Sequence, residues 1–141
     1  MERPFGSQSS VTPGGRVLII DDELALLRSY KRTLRRLFDV VLVSDPREAI
    51  ELIEKDRAFD VIVCDVRMPH MNGAAVYAAV AKIAPELLER IIFCSGGPGS
   101  NNDTVIEWLT TIDNVQLLKP VSIEALRATI ASVRDAHTLI G

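Results

Sequence analysis

The chain has 141 residues, a net charge of −3, 48% hydrophobic and 25% charged residues, enough for one domain with a real core in the balance of a globular protein. The acidic balance argues against a nucleic-acid face, which needs clustered cations, and Arg28, Lys31, Arg32, Arg35 and Arg36 read as the solvated face of one helix. No apolar stretch reaches the roughly 18 residues of a membrane span, and no membrane contact is expected.

The first segment, MERPFGSQSSVTPGG, is rich in Ser, Pro and Gly and lacks the apolar region of a signal peptide. Residues 1–15 therefore read as a flexible tail or linker, 16–137 as a single folded domain, and the expected location is cytoplasmic. The first strand is VLII (Val17–Ile20), which runs into Asp21-Asp22. A helical pattern from about Glu23 to Leu37 follows, with Leu27, Tyr30, Leu34 and Leu37 on one face. The second strand, Val40–Val43, is weaker, and Asp45-Pro46-Arg47-Glu48 opens the second helix with the residues of a capping box. The third strand, VIVC (Val61–Cys64), runs into Asp65. A third helix begins near Asn72-Gly73 and buries Val76, Val80 and Ile83.

IIFC (Ile91–Cys94) ends at Ser95 and is followed by the glycine-rich Gly96-Gly97-Pro98-Gly99. The fourth helix presents Val105, Trp108, Leu109 and Ile112. VQLL (Val115–Leu118) runs into Lys119-Pro120, and Ser122 caps a fifth helix with Leu126, Ile130 and Val133 inward. Cys64 and Cys94 each close an apolar run without metal or redox spacing, so they read as buried reduced thiols. His70 and His137 are too far apart to suggest a zinc site.

Short β-branched runs alternating with helices predict an α/β fold: a doubly wound, five-stranded parallel sheet with helices on both faces. Five strands favour the order 2-1-3-4-5, with the switch point between strands one and three. Ligands bind beyond the carboxyl ends of such strands, where Asp21, Asp22, Asp65, Ser95 and Lys119 would converge. Neighbouring carboxylates repel unless a cation neutralises them, and their hard oxygens suit Mg²⁺, which shares its shell with phosphate oxygens. A carboxylate can also attack phosphorus and form an aspartyl phosphate, while Lys119 and the Ser95 hydroxyl stabilise phosphoryl charge.

With these residues, the chain from about Arg16 to Ala136 resembles a receiver domain of the two-component response-regulator family, with the flavodoxin-like receiver fold. The resemblance rests on Asp21-Asp22 after VLII, Asp65 to Gly73 in VIVCDVRMPHMNG, Ser95 in IIFCSGG and Lys119-Pro120 in VQLLKPVS. It implies that Asp65 accepts phosphate from a phosphohistidine on a histidine kinase or a histidine phosphotransfer domain. It implies Mg²⁺ held by Asp22, Asp65 and the backbone carbonyl of Arg67, with Asp21 assisting, and a cis Lys119–Pro120 bond. It further implies a regulatory phosphoacceptor whose chemistry is limited to its own phosphorylation and slow autodephosphorylation. Its outputs would be protein contacts, among them a homodimer through helix four, strand five and helix five. The Ser95-Gly96-Gly97 loop and short carboxyl end are similar to receivers of hybrid histidine kinases, for which the Ser/Gly-rich start would be a linker, with a stand-alone receiver as the other reading.

Two positions depart from the family pattern. The residue three before the lysine is commonly a Tyr or Phe that reports phosphorylation, and here it is Gln116, a flexible amide able to bond backbone or solvent. The residue after the hydroxyl is commonly Ala, and here it is Gly96. An Asp-nucleophile phosphatase is disfavoured because Arg67 stands where a second carboxylate is expected. A nucleotide-binding reading fails because Asp21-Asp22-Glu23 replaces a glycine-rich turn. The remaining alternative is a receiver-like interaction module that phosphorylation does not regulate.

Overall fold

The computed structural model describes residues 14–96 and 104–138. Of the expected 1–15 tail only Gly14 and Gly15 are among them, and Gly97, Pro98 and Gly99 of the glycine-rich loop lie outside the described residues. The strands are β1 (Arg16–Ile20), β2 (Asp39–Val43), β3 (Val61–Asp65), β4 (Ile91–Ser95) and β5 (Gln116–Leu118). The helices are α1 (Leu24–Leu34), α2 (Pro46–Lys55), α3 (Gly73–Ile83), α4 (Thr104–Leu109) and α5 (Ile123–Thr138), with a 3₁₀ turn at Pro85–Arg90 before β4. All strand pairs are parallel and the order is β2-β1-β3-β4-β5, the doubly wound topology expected from the alternation.

Alternation along each strand divides the core in two. Leu18 and Ile20 of β1, Ile62 and Cys64 of β3, and Ile91 and Phe93 of β4 face α2, α3 and α4. Val17, Ile19, Val61, Val63, Ile92 and Cys94 face α1 and α5, where they meet Leu27, Tyr30, Leu34, Leu126 and Ile130. Every residue of β3 and β4 is buried, as central parallel strands covered on both faces require. The two cysteines belong to opposite faces of the sheet and are both free and buried. The cations from Arg28 to Arg36 on and just after α1 are exposed, as a solvated face should be.

Several local expectations need correction. The first helix stops at Leu34 rather than Leu37: the Leu34 carbonyl accepts from both Leu37 N and Phe38 N, which turns the chain. Leu37 is consequently 42% exposed, and Phe38 takes the buried position. The last strand is an edge strand of three residues and is not buried; Val115 and Leu118 are 43% and 65% exposed. At α2 the Asp45 carboxylate caps Arg47 N and chelates the Arg47 guanidinium instead of bonding at Glu48. In α3 Ile83 is only half-buried and Ala84 lies in the core beside it.

The loop after β3 depends on a glycine for close approach. Gly73 N donates to Val66 O at 2.7 Å, and a side-chain carbon at Gly73 would stand 3.1 Å from the Val66 backbone and 3.3 Å from the Phe93 ring. Asn72 caps the helix from the other side, its side chain accepting from Ala75 N. Together they seat α3 against β4 and fix the path by which the chain leaves Asp65.

Candidate functional site

Strand register brings the polar residues to one edge. Ile20 pairs with Cys64, so Asp21 follows β1 beside Asp65 at the end of β3. Ser95 pairs with Leu118, so Lys119 leaves β5 beside the end of β4, and its backbone N–H donates to Ser95 O at 2.7 Å. The Lys119–Pro120 peptide is cis, in keeping with the resemblance.

Lys119 is the centre of the arrangement. Its Nζ lies 2.9 Å from Asp21 Oδ2, 3.2 Å from Asp65 Oδ2 and 3.5 Å from Glu23 Oε1. Asp21, Asp65 and Ser95 are buried, whereas Asp22 is exposed. Asp21 also accepts from Glu23 N at 3.0 Å, a side-chain turn that leads the chain into α1. Asp22 thus does not cap α1; the position before the helix is Glu23, whose side chain makes no cap bond. Carboxylate oxygens of Asp21, Asp22 and Asp65 all lie within 4.8 Å of one another. Hard oxygen donors at this spacing, one of them open to solvent, fit a Mg²⁺ ion that keeps several waters.

Electrostatics follow from this packing. Burial, reinforced by Asp21, raises the Asp65 carboxyl above its ordinary value, against the opposing pull of Lys119 and of the Arg67 backbone N–H bonded to it. Burial alone would lower the Lys119 ammonium, but the hydrogen bond to Asp21 and the charges of Asp65 and Asp21 raise it overall. Lys119 therefore stays cationic while Asp65 is the carboxylate whose charge is least comfortable, so a cation added here relieves strain on the ionised form. Beneath the site, burial pushes the Tyr30 phenol up to about 12 and the Cys94 thiol up to about 12, which keeps both neutral.

Of the residues picked out from the sequence, Asp21, Asp22, Asp65 and Lys119 meet in one crevice, and Ser95 adjoins it through the Lys119 backbone. Arg67 reaches it through its backbone. Gln116 does not: its Nε2 donates to Leu109 O at 2.8 Å, at the end of α4. Glu23 is a participant that sequence reasoning overlooked. Its only signal was its place next to the acidic pair, since its contact with Lys119 spans almost the whole fold. Trp108, half-buried on α4, packs edge-on against Phe93 and Tyr77 at centroid distances of 5.3 and 5.4 Å. No helix among the described residues is long and apolar enough to cross a membrane.

The sequence profile of the family described as "Response regulator receiver domain" matches residues 17–131. The chain is similar to Transcriptional regulatory protein ZraR of Escherichia coli O157:H7, 30% identical over 125 residues covering 88% of this chain and 27% of that protein. It is similar also to Response regulator MprA of Mycolicibacterium vanbaalenii, 30% identical over 122 residues covering 84% of this chain and 49% of that protein. The chain therefore spans less than half of either relative. Among solved structures, a response regulator receiver domain protein from Clostridium thermocellum superposes with a TM-score of 0.77 over 90% of this chain and 99% of that one. At 24% identity that likeness speaks for the fold alone.

Proposed function

The chain belongs to the response regulator receiver domain family, whose profile spans residues 17–131, and from that premise we propose that Asp65 accepts a phosphoryl group from a phosphohistidine on a histidine kinase or histidine phosphotransfer domain. The observation that carries this reading is the Lys119 ammonium held between two buried carboxylates, 2.9 Å from Asp21 and 3.2 Å from Asp65. An Asp65 oxygen attacks phosphorus, the P–N bond breaks, and its electron pair returns to the imidazole nitrogen. Phosphoryl transfer requires alignment and charge neutralisation rather than covalent help from the protein. Lys119 supplies one positive charge to the phosphoryl oxygens, and the Ser95 hydroxyl donates a hydrogen bond to one of them. Asp22, Asp65 and the Arg67 carbonyl, with Asp21 assisting, would hold Mg²⁺, which when bound supplies the remaining positive charge.

On this reading the protein is a regulatory phosphoacceptor acting only on itself, and the phosphorylated state switches protein–protein contacts. The face formed by α4, β5 and α5, with Leu118 exposed, is the proposed homodimer surface. Residues 16–137 would form the receiver and 1–15 its tail or linker. Incubation with acetyl phosphate and Mg²⁺ should add one phosphate by intact mass. Asp65→Asn and a chelator should each abolish it. A chain that gains no phosphate would instead be an interaction module that phosphorylation does not regulate.

A further inference from the structure

Beside the crevice, on the side of α1, lies a cavity of about 320 Å³ lined by Glu23, Leu26, Tyr30, Lys119, Pro120 and Val121. Its walls are largely apolar, and Lys119 separates it from Asp65, to which the ammonium is bonded at 3.2 Å. One carboxylate stands at its rim. Glu23 is 65% exposed on its side chain, yet its Oε1 is held 3.5 Å from Lys119 Nζ. The Glu23 side chain does not cap α1, and its backbone N–H is satisfied by Asp21.

We infer that this cavity is the subsite for the donor's imidazole ring and that Glu23 is the residue that recognises the ring. The inference rests on the phosphoacceptor reading of Asp65 and names the donor class that suits it: a phosphoimidazole, in preference to an acyl phosphate. A flat ring fits between Leu26, Tyr30, Pro120 and Val121, with its phosphoryl group reaching past Lys119 to Asp65. The ring nitrogen that carries no phosphorus bears an N–H when the ring is protonated, and the Glu23 carboxylate accepts that hydrogen bond. The chemical consequence concerns the leaving group. A ring protonated at that nitrogen departs as neutral imidazole when the P–N electron pair returns to it, whereas an unprotonated ring would depart as an imidazolide anion. The proton remains on the ring throughout. An acyl phosphate has no N–H to offer and leaves as a carboxylate, which Glu23 would repel rather than hold.

The test is a ratio of initial phosphorylation rates of the full chain with Mg²⁺, using monophosphoimidazole and acetyl phosphate as the two donors. Any effect of Glu23 on Lys119 or on metal binding touches both donors and cancels in the ratio. Loss of one charge-assisted hydrogen bond predicts that Glu23→Gln lowers the phosphoimidazole-to-acetyl phosphate ratio by about tenfold. An unchanged or increased ratio overturns the inference, and equal slowing with both donors would assign Glu23 to positioning Lys119 or the metal instead of the ring. Failure of the underlying reading looks different: the wild-type chain then takes phosphate from neither donor, and both ideas fall together.

Discussion

Lys119 Nζ donates to Asp21 Oδ2 at 2.9 Å across 98 residues of sequence, tying the end of β5 to the end of β1. Asp21 is 3% exposed and cannot move out to find water, so the ammonium compensates a charge the fold has already buried. Lys119→Met should therefore destabilise the protein as well as prevent phosphorylation. Removing one partner of a buried pair costs about 3–5 kcal/mol where solvent is excluded; the opening at Asp22 reduces the expectation to roughly 2 kcal/mol. Mg²⁺ should restore part of the loss by replacing the missing positive charge. Chemical denaturation in a chelator and in excess Mg²⁺ measures both effects, and equal stability of mutant and wild type in the chelator would contradict the assignment.

Asp65 gives the pH dependence. Its carboxyl is raised in the folded state, mainly by burial and further by Asp21, so the folded protein binds this proton more tightly than the unfolded chain does. Stability contributed by the site then falls as pH rises from the ordinary carboxylate value of 3.8 through the raised folded value, and the penalty is complete above it. Asp65→Asn should melt higher than wild type at pH 7 in a chelator, on the scale of about 4 °C for each kcal/mol recovered. The advantage should shrink as pH is lowered toward 3.8 and the wild-type carboxyl becomes neutral. A melting difference independent of pH across that window would show that burial of the charge is not its cause.

What could be read from the sequence, and what could not, divides along a physical line. Short branched runs ending in Asp21, Asp65, Ser95 and Lys119 announced both the parallel sheet and the edge where the site forms, because strand direction alone places their tips together. Leu37 misled because helical spacing continues past the turn at Leu34, and nothing in the spacing says where a carbonyl is diverted. Val115 and Leu118 are as apolar as any central strand residue; only the pairing of β5 on one side alone reveals them as edge positions. Glu23 beside Lys119 and Gln116 against Leu109 are tertiary contacts of polar groups, which leave no periodic trace. The cis bond before Pro120 came from the family resemblance, since an X–Pro sequence merely permits it.

Asp22 is the exposed member of the carboxylate cluster and the one free to give oxygen to an ion without losing a bond to Lys119. Mg²⁺ binding should raise the wild-type melting temperature modestly, because most of the coordination shell remains water. Asp22→Asn should abolish that Mg²⁺-dependent rise while leaving the metal-free protein as stable as wild type or more so, one repulsive charge having been removed. Thermal melts with and without Mg²⁺ decide the matter. A mutant that keeps the full rise would move the ion to other ligands.

The final prediction concerns how occupancy at Asp65 reaches the surface. The Gln116 amide is not free; it donates to the Leu109 carbonyl at 2.8 Å and satisfies one of the acceptors that a helix end leaves open. Trp108, the single tryptophan, precedes Leu109 and packs on Phe93, two residues before Ser95 on β4. Two separate influences therefore meet at one reporter: Gln116 holds the end of α4, and Ser95 lies at the tip of the strand beneath the ring. Gln116→Ala should release the helix end, change Trp108 emission before any ligand is added, and cost about 1 kcal/mol for the lost hydrogen bond. Ser95→Ala should leave that starting emission near wild type but suppress the change produced by a phosphoryl mimic with Mg²⁺, because the differential contact with the phosphoryl oxygen is gone. Fluorescence titration of the two variants separates the roles. If Gln116→Ala starts from the wild-type emission and Ser95→Ala retains the full response, then neither residue links α4 to the site, and the path must run through other contacts.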